Sequence, residues 1–264
     1  MHVDLKGMRA LVTGSTAGIG YAIAKALALN GAAVAINGRT HGRVTEAIER
    51  LRDEGVGTEL IPAPGDISTA EGAEKVIAAS GELDILVNNA GIFEPKDAFE
   101  IPDEDWTRLF ETNVLGPIRL TRHYGPHMRA KGWGRIVFIS SESAIQIPTE
   151  MIHYGLTKTA MLSLTRGFAQ ALAQTGVTVN AVLPGPTRSE GVEGFVKALA
   201  EQGGVTEAQI EDEFFKSARP SSLLKRFITP EEVADVVLFV CSREAAAITG
   251  APVRAEGGVL QSIA

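Results

Sequence analysis

The sequence predicts an α/β fold in which one doubly wound, parallel sheet of about seven strands carries helices on both faces. Short apolar runs alternate along the chain with longer segments of helical periodicity, and the connections between them are short. Each glycine-rich or polar motif also comes directly after a predicted strand, where parallel sheets bind their ligands. Because no linker interrupts the 264 residues, we expect a single domain over residues 1–264.

Seven segments have the composition of buried strands. They are short, apolar and rich in β-branched residues, as expected of strands that are covered on both faces. They span residues 9–13, 33–37, 58–61, 84–88, 135–140, 177–183 and 252–255.

Six longer segments between these strands have the periodicity of helices. They span residues 19–29, 43–54, 69–79, 104–129, 154–173 and 230–240. The last helix has a favourable start, since Pro230 fits a first turn and the acids Glu231 and Glu232 suit its positive end. In contrast, residues 185–225 are polar and irregular apart from short helical pieces, which is typical of a lid or substrate loop.

The composition argues against several classes of function. A net charge of −7 and a pI of about 5.4 disfavour nucleic-acid binding. Apolar runs fall short of the roughly 18 residues that a membrane span needs, and we see no secretory leader pattern. Cys241 is the only cysteine, which fits a reducing, cytoplasmic location. His123 and His127 stand four residues apart without a third candidate ligand, so we predict no metal site.

A glycine-rich turn joins the first predicted strand to the first predicted helix. Its glycines let the backbone approach a diphosphate, and the helix start offers N–H groups and a positive dipole. The G-x-x-x-G-x-G spacing differs from the general G-x-G-x-x-G fingerprint. Taken alone, the turn also fits a tight strand-to-helix connection. The candidate phosphate-binding residues are Gly14, Ser15, Thr16, Gly18, Ile19 and Gly20.

Three motifs in order carry a resemblance to a known family. They are Thr13-Gly14-Ser15-Thr16-Ala17-Gly18-Ile19-Gly20, Asn88-Asn89-Ala90-Gly91 and Tyr154-Gly155-Leu156-Thr157-Lys158. They resemble the signatures of the short-chain dehydrogenase/reductase family, from about residue 6 to residue 258. In pattern the chain is nearest to the 3-oxoacyl-[acyl-carrier-protein] reductases. The resemblance implies a Rossmann-like fold, an NAD(P)-dependent reaction on a small molecule, and a homotetramer or homodimer.

The end of the second predicted strand carries the cofactor prediction. An acid here, about 20 residues after the glycine turn, would bond the adenosine ribose and repel a 2′-phosphate. Gly38 stands where NAD-preferring relatives carry Asp, and Arg39 offers a planar fork that suits phosphate. We therefore predict that NADP(H) is preferred and that NAD(H) is possible. A solvated loop cation is the alternative for Arg39.

The resemblance implies further cofactor contacts at an adenine-contacting pair, at the second signature, and at a turn that packs on the nicotinamide and bonds its carboxamide. In that order, the residues are Asp66 and Ile67, then Asn89, Ala90 and Gly91, then Pro184, Gly185 and Thr187. All of them follow predicted strands, at the edge of the sheet where ligands bind.

The chemical centre is predicted at Tyr154 and Lys158. A phenol has an ordinary pKa of about 10, so acid–base work near pH 7 needs that pKa lowered by roughly 3 units. One ammonium about 4 Å away supplies that much at an effective dielectric of roughly 20. Lys158 lies one helical turn after Tyr154, so we expect both on one helix face and a lowered phenol pKa. Without the other motifs, an ordinary helix surface would explain the pair better.

The resemblance assigns the catalytic roles. Tyr154 gives a proton to the substrate carbonyl oxygen while the nicotinamide delivers hydride, and Lys158 also bonds the nicotinamide ribose. Ser141, 13 residues before Tyr154, holds the carbonyl oxygen in place, with Ser143 as second choice. Asn113 holds a relay water through its main-chain carbonyl.

The residues themselves add one argument for Asn113. A helical carbonyl accepts from the N–H four residues later, and here that residue is Pro117, which has no N–H. We therefore expect the main-chain carbonyl of Asn113 to have no helical donor, so that it is free to bind a water, and we expect a local kink in the helix. A kink that serves only packing is the alternative.

The predicted reaction is hydride transfer between NADP(H) and a carbonyl or secondary alcohol, by a ketone reductase or alcohol dehydrogenase. Two alternatives stay open, an NAD-dependent sugar or polyol dehydrogenase and a protein that senses a dinucleotide without turnover. The retained Tyr154 and Lys158 favour an enzyme. The sequence does not identify the substrate, and the candidate pocket residues are Ser143, Phe93 and Ile147.

Overall fold

The computed structural model describes residues 3–263, except for the side chains of residues 191 and 195. Within that range the strands are β1 (Arg9–Val12), β2 (Ala33–Gly38), β3 (Leu60–Pro64), β4 (Ile85–Asn88), β5 (Gly134–Ile139), β6 (Val177–Pro184) and β7 (Pro252–Ala255). All pair in parallel in one sheet, in the order β3-β2-β1-β4-β5-β6-β7. The predicted fold class is therefore confirmed, with the topological switch between β1 and β4.

Helices connect the strands. They are α1 (Gly18–Leu29), α2 (His41–Asp53), α3 (Ala70–Ser80), α4 (Asp103–Phe110), α5 (Gly116–Lys131), α6 (Ile152–Ala171), α7 (Glu190–Gly203), α8 (Glu207–Ser217) and α9 (Pro230–Cys241). No helix within residues 3–263 has both the length and the apolar character needed to cross a bilayer.

Two apolar layers bury the sheet, which explains the continuous apolar character of its strands. One layer contains Leu27 of α1 and Val237 of α9. The other contains Tyr124 of α5, Phe138 of β5 and Met161 of α6. Burying each such large side chain contributes about 1.5–3 kcal/mol, so the sheet is the rigid base on which the loops at its carboxyl edge are held.

Two differences between the predicted and the observed boundaries have a structural cause. β3 starts two residues later than expected because its pairing with β2 sets Val34 opposite Leu60, while the hydroxyl of Thr58 donates to the carbonyl of Ala28. The helix predicted over residues 104–129 is divided by a π-helical turn, Glu111–Leu115, between α4 and α5. The expected irregularity before Pro117 is present, as a π turn instead of a simple kink.

The segment 185–225, which we call the lid, is more regular than predicted. It holds two full helices, α7 and α8, instead of short helical pieces. Thr206 caps α8 in a capping box, and a small apolar cluster joins Val196, Phe215 and Phe227. The sequence prediction missed this order because the cluster is completed by Phe227, which lies beyond the segment.

Candidate active site

The glycine turn follows β1 and leads into α1, as predicted. Gly14 and Gly18 have left-handed backbone angles, with φ of +62° and +54°. At Gly20 an added Cβ would lie 2.4 Å from the carbonyl oxygen of Gly14 and 2.4 Å from Nδ2 of Asn89. The turn is therefore packed so closely that a side chain at residue 20 does not fit.

The start of α1 suits an anion. Ala17 is the N-cap, its methyl group accepts no hydrogen bond, and the first turn carries no acid. The N–H groups of that turn therefore remain available, and they form the positive end of the helix dipole. The diphosphate of a dinucleotide fits such a cradle.

Ser15 belongs to the internal structure of the turn. Its N–H donates to the carbonyl of Asn37 (2.9 Å), and its hydroxyl donates to the carbonyl of Val12 (2.7 Å). The same hydroxyl accepts from the N–H of Asn37 at 2.9 Å. Both polar hydrogens are used within the protein, so Ser15 ties β1 to β2, and its contact with the cofactor stays a prediction. The carbonyl of Thr16 accepts from Nη2 of Arg50 at 2.7 Å.

The end of β2 offers a cation and no acid. Gly38 packs against the glycine turn, where an added Cβ would lie 2.6 Å from Cγ2 of Thr16. An Asp at residue 38 would therefore require Thr16 to move. Arg39 follows with an exposed side chain, at the position where the sequence predicted contact with a 2′-phosphate.

The loop after β4 is fastened to the glycine turn. Oγ1 of Thr13 accepts from the N–H groups of Asn89 and Ala90, both at 2.9 Å. Nδ2 of Asn89 donates to the carbonyl oxygens of Thr13 (2.8 Å) and Gly14 (3.2 Å). Asn89 and Gly91 line the main cavity. Two family signatures that lie about 75 residues apart in sequence thus form one surface.

The remaining predicted cofactor residues lie at the same edge of the sheet. Oδ1 of Asp66 accepts from the N–H of Ser68 at 3.0 Å, and the carbonyl of the buried Ile67 accepts from Nη1 of Arg119 at 3.3 Å. Asp66 itself stays partly exposed. At the far end of the cavity, the predicted nicotinamide turn contributes Pro184, Gly185 and Thr187.

The helix α6 presents Tyr154 and Lys158 on one face, as predicted. Nζ of Lys158 lies 5.4 Å from the centre of the Tyr154 ring and donates to the carbonyl of Ile139 at 2.9 Å. The ring of Phe93 meets that of Tyr154 edge-on, with centroids 6.0 Å apart. Both members of the pair line the cavity.

The expected lowering of the phenol pKa is wrong for this structure. Tyr154 keeps some exposure toward the cavity, but burial raises its pKa well above the ordinary value, and a hydrogen bond with Ser141 offsets this only in part. Burial also lowers the pKa of Lys158 to about 8. The Lys158 ammonium is directed to the Ile139 carbonyl, so it does not offset the burial of the phenol. Tyr154 is therefore protonated at neutral pH.

Ser141 follows β5, and its hydroxyl donates to Oε2 of Glu142 at 2.5 Å. The same oxygen accepts from the N–H (2.7 Å) and the hydroxyl (2.9 Å) of Ser143. A hydroxyl has one proton, and we assign that of Ser141 to Glu142 because their contact is so short. While this bond is made, Ser141 offers a substrate a lone pair only. When the hydroxyl turns to Tyr154 instead, it donates to the phenolate and lowers the pKa of Tyr154. The predicted role of Ser141 thus depends on Glu142, which the sequence interpretation missed.

An arginine from the lid holds Glu142. Nε of Arg219 donates to Oε1 of Glu142 at 2.8 Å, and the two residues are 9% and 4% exposed. They are 77 residues apart, so no local motif predicts the pair. One signal was present in the sequence, since Glu142 stands between two serines just after a predicted strand, where an acid is unusual unless it has a partner.

Asn113 is fully buried, and its side chain links two parts of the site. Its Oδ1 accepts from the N–H of Ile92 (2.8 Å), while Nδ2 donates to the carbonyl of Ile92 (2.9 Å) and to Oγ1 of Thr157 (3.0 Å). The amide therefore ties the loop after β4 to α6. Sequence reasoning considered only the main-chain carbonyl, which lies within the π-helical turn.

One cavity of about 600 Å³ lies between the glycine turn and the lid. Phe93 and Ser143 line it, as predicted. Ile147 does not, because it is 47% exposed and packs over α6, where its Cγ2 would lie 2.6 Å from a Cβ added to Gly155. Within residues 3–263, no group of three or more His, Cys, Asp or Glu side chains is arranged to hold a metal ion.

Comparison with known proteins agrees with this geometry. The chain matches the short chain dehydrogenase family over residues 8–200. An uncharacterized oxidoreductase of Bacillus subtilis, YvaG, is 47% identical over 100% of both chains. A D-beta-hydroxybutyrate dehydrogenase of Rhizobium meliloti is 35% identical and covers 94% of this chain and 97% of its own.

A solved structure is similar over its whole length. It is the crystal structure of L-sorbose reductase from Gluconobacter frateurii complexed with NADPH and L-sorbose, at a TM-score of 0.93, 30% identity and 100% coverage of both chains. The predicted family and enzyme class are therefore confirmed. The chain belongs to the short-chain dehydrogenase/reductase family, and is an NAD(P)-dependent oxidoreductase that acts on CH–OH and C=O groups.

Proposed function

We propose that this protein transfers a hydride between NADP(H) and the carbonyl or secondary alcohol of a small molecule, with Tyr154 as general acid and base. One observation carries the proposal, namely that Tyr154 and Lys158 line the same cavity as the glycine-turn residue Ile19 and residues of the lid. A dinucleotide on the glycine turn and a substrate under the lid would meet at Tyr154. Residues 1–264 would act as one unit, with the lid, 185–225, over the substrate.

The side chains suit proton donation. The bound dinucleotide supplies the hydride in the reductive direction. Burial keeps the phenol of Tyr154 protonated at neutral pH, so it is ready to donate to the carbonyl oxygen. Lys158, whose pKa is lowered to about 8, exchanges protons near neutral pH and can return one to the phenolate, with Asn113 at the entry of the relay.

The proposed preference for NADP(H) depends on the end of β2. A 2′-phosphate needs positive charge, and Arg39 is exposed there without an acid beside it in sequence. An acid at residue 38 would also collide with Thr16. The NADPH in L-sorbose reductase supports the same choice.

We also propose the assembly that the family pattern implies, a homotetramer. A shallow surface pocket on α4 and α6 is lined by Trp106, Phe110 and Leu156, and the last two are apolar and partly exposed. An apolar surface of this kind favours contact with a second copy.

The enzymatic test uses NADPH consumption with a panel of ketones and aldehydes. Wild type is expected to reduce at least one class, and Tyr154→Phe to lower kcat by about 10²–10⁴-fold, the usual share of general acid catalysis. Tyr124→Phe is the matched control, since Tyr124 is buried in the core away from the cavity and its hydroxyl has no partner within the described residues. Full activity in Tyr154→Phe would contradict the assignment. NADPH binding without turnover of any substrate would favour the dinucleotide-sensing alternative.

A further inference from the structure

A buried ion pair stands beside the proposed proton donor. Glu142 and Arg219 line the cavity together with Ser141 and Tyr154, and Nε of Arg219 lies 2.8 Å from Oε1 of Glu142. Both charges also act on the phenol, since Glu142 raises and Arg219 lowers the pKa of Tyr154 after the larger effect of burial. A substrate whose carbonyl reaches Tyr154 must therefore pass close to both charges.

The contacts of Glu142 fit an ionised carboxylate. All of its partners donate, because Oε2 accepts from the hydroxyl of Ser141 and from the N–H and hydroxyl of Ser143, and Oε1 accepts from Arg219. Arg219 in turn donates through Nη1 to the carbonyl of Ala218 at 2.8 Å. An anion that drew Arg219 away would leave the Glu142 charge buried and unpaired, which is strongly unfavourable.

The other charges of the cavity also oppose an anion. Three acids, Glu142, Glu150 and Glu213, line it against two bases, Lys158 and Arg219. Glu150 and Glu213 are exposed, so an entering molecule meets negative charge first. The ammonium of Lys158 donates to the Ile139 carbonyl at 2.9 Å. A substrate carboxylate would therefore have Arg219 as its cationic partner, and Arg219 is already paired.

We propose that Glu142 is a specificity-determining residue which, by neutralising Arg219, makes the cavity select uncharged carbonyl compounds and reject carboxylates. The inference rests on the function proposed above and narrows its substrate class. It also gives the lid a defined contact, because Arg219 follows α8 and meets Glu142 next to Ser141. The acid substrate implied by the name of the Rhizobium meliloti relative is therefore not expected here.

The test compares two substrates that differ in charge, acetoacetate and its methyl ester, with saturating NADPH. Wild type is expected to favour the ester in kcat/KM by at least about tenfold, since like charges brought together are disfavoured. Glu142→Gln leaves the positive charge of Arg219 without a negative partner. The ratio of kcat/KM for ester and acid is therefore expected to move toward the acid by at least about tenfold. The change should appear as a lower KM for the acid, because it acts on binding of the charge.

Two further variants separate the charge effect from loss of structure. Asp212→Asn breaks an exposed ion pair with Lys216 (2.7 Å) on the lid helix α8, and should leave the ratio unchanged. The double variant Glu142→Gln, Arg219→Gln removes the unpaired cation and should return the ratio toward that of wild type. An NADPH fluorescence titration of each variant reports whether the site is folded.

Binding of the product pair, 3-hydroxybutyrate and its methyl ester, in the presence of NADP⁺ gives the same comparison by calorimetry without turnover. Selective binding of the ester would support the inference even where neither ketone is reduced, because the proposed function fails only if no compound of the ketone and aldehyde panel is reduced. A wild type that prefers the acid overturns the inference, even where Glu142→Gln does not fold. The inference is also overturned if Glu142→Gln has the same ratio of kcat/KM for ester and acid as wild type. It is overturned as well if the double variant keeps the ratio of Glu142→Gln.

Discussion

The two sides of the cavity are built in different ways. The cofactor side, formed by residues 13–20 and 88–91, depends on hydrogen bonds of Thr13 and Asn89 to backbone groups and on Gly20, where a Cβ does not fit. The lid depends on side chains, with an apolar cluster that holds its helices and one arginine that reaches Glu142. The close packing around Gly20 tolerates little change, whereas the side chains of the lid can be exchanged. The comparison teaches that the chain can keep its cofactor while its substrate preference changes.

Among changes that separate the two sides, the largest effect is expected from Gly20→Ala on the cofactor side. Its Cβ would meet the carbonyl oxygen of Gly14 and Nδ2 of Asn89, both at 2.4 Å. NADPH affinity should fall by roughly 10- to 100-fold, as expected if overpacking costs 1–3 kcal/mol. Gly42→Ala is the matched control, because an added Cβ there has no neighbour within 4 Å among the described residues. Fluorescence titration with NADPH measures both, and equal affinities would show that the tight packing is not needed.

The cofactor side could be predicted because its determinants are local. The glycines of the turn lie within seven residues, and Tyr154 and Lys158 are one helical turn apart, so the pattern alone indicates their geometry. Strand positions were predicted to within two or three residues, since buried parallel strands have continuous apolar runs. The same reasoning did not predict that Ser15 also ties β1 to β2 through its hydrogen bond with Asn37.

The lid side could not be predicted, because its contacts join distant parts of the chain. Glu142 and Arg219 are 77 residues apart, and the direction in which Ile147 points is set by packing over Gly155. The rise in the pKa of Tyr154 likewise comes from burial, and the spacing between Tyr154 and Lys158 gives no information on burial. Sequence spacing predicted which residues meet, but not the environment that surrounds them.

A smaller effect, on substrate binding and not on cofactor binding, is expected from Phe215→Ala in the lid. Phe215 is buried against Phe227, with ring centroids 5.2 Å apart. Loss of the Phe215 ring should loosen α8 and raise the KM of a ketone substrate by about tenfold. NADPH affinity should stay unchanged, because local opening of the lid leaves the sheet and the glycine turn intact. Phe99→Ala, at a fully exposed site outside the lid, serves as control. A parallel loss of NADPH affinity would mean that the two sides are not independent.

A third effect, of about the same size as the second, concerns the choice between the two dinucleotides. Arg39→Asp removes the proposed phosphate partner and adds a repelling charge, so the preference for NADPH over NADH should fall by at least about tenfold. The ratio of the two dissociation constants measures it. Arg122→Asp applies the same change of charge to an exposed residue of α5 and should leave the ratio as in wild type. An unchanged ratio in Arg39→Asp would make Arg39 a solvated loop cation.

The central claim is that hydride and proton meet at Tyr154. Its most direct test is a single-turnover reaction with NADPH deuterated at the transferred position and a ketone that the wild type reduces, followed by mass spectrometry of the alcohol. The account predicts one deuterium on the carbinol carbon with wild type, and almost none in the same time with Tyr154→Phe. An alcohol without deuterium, or equal labelling by both proteins, would contradict it.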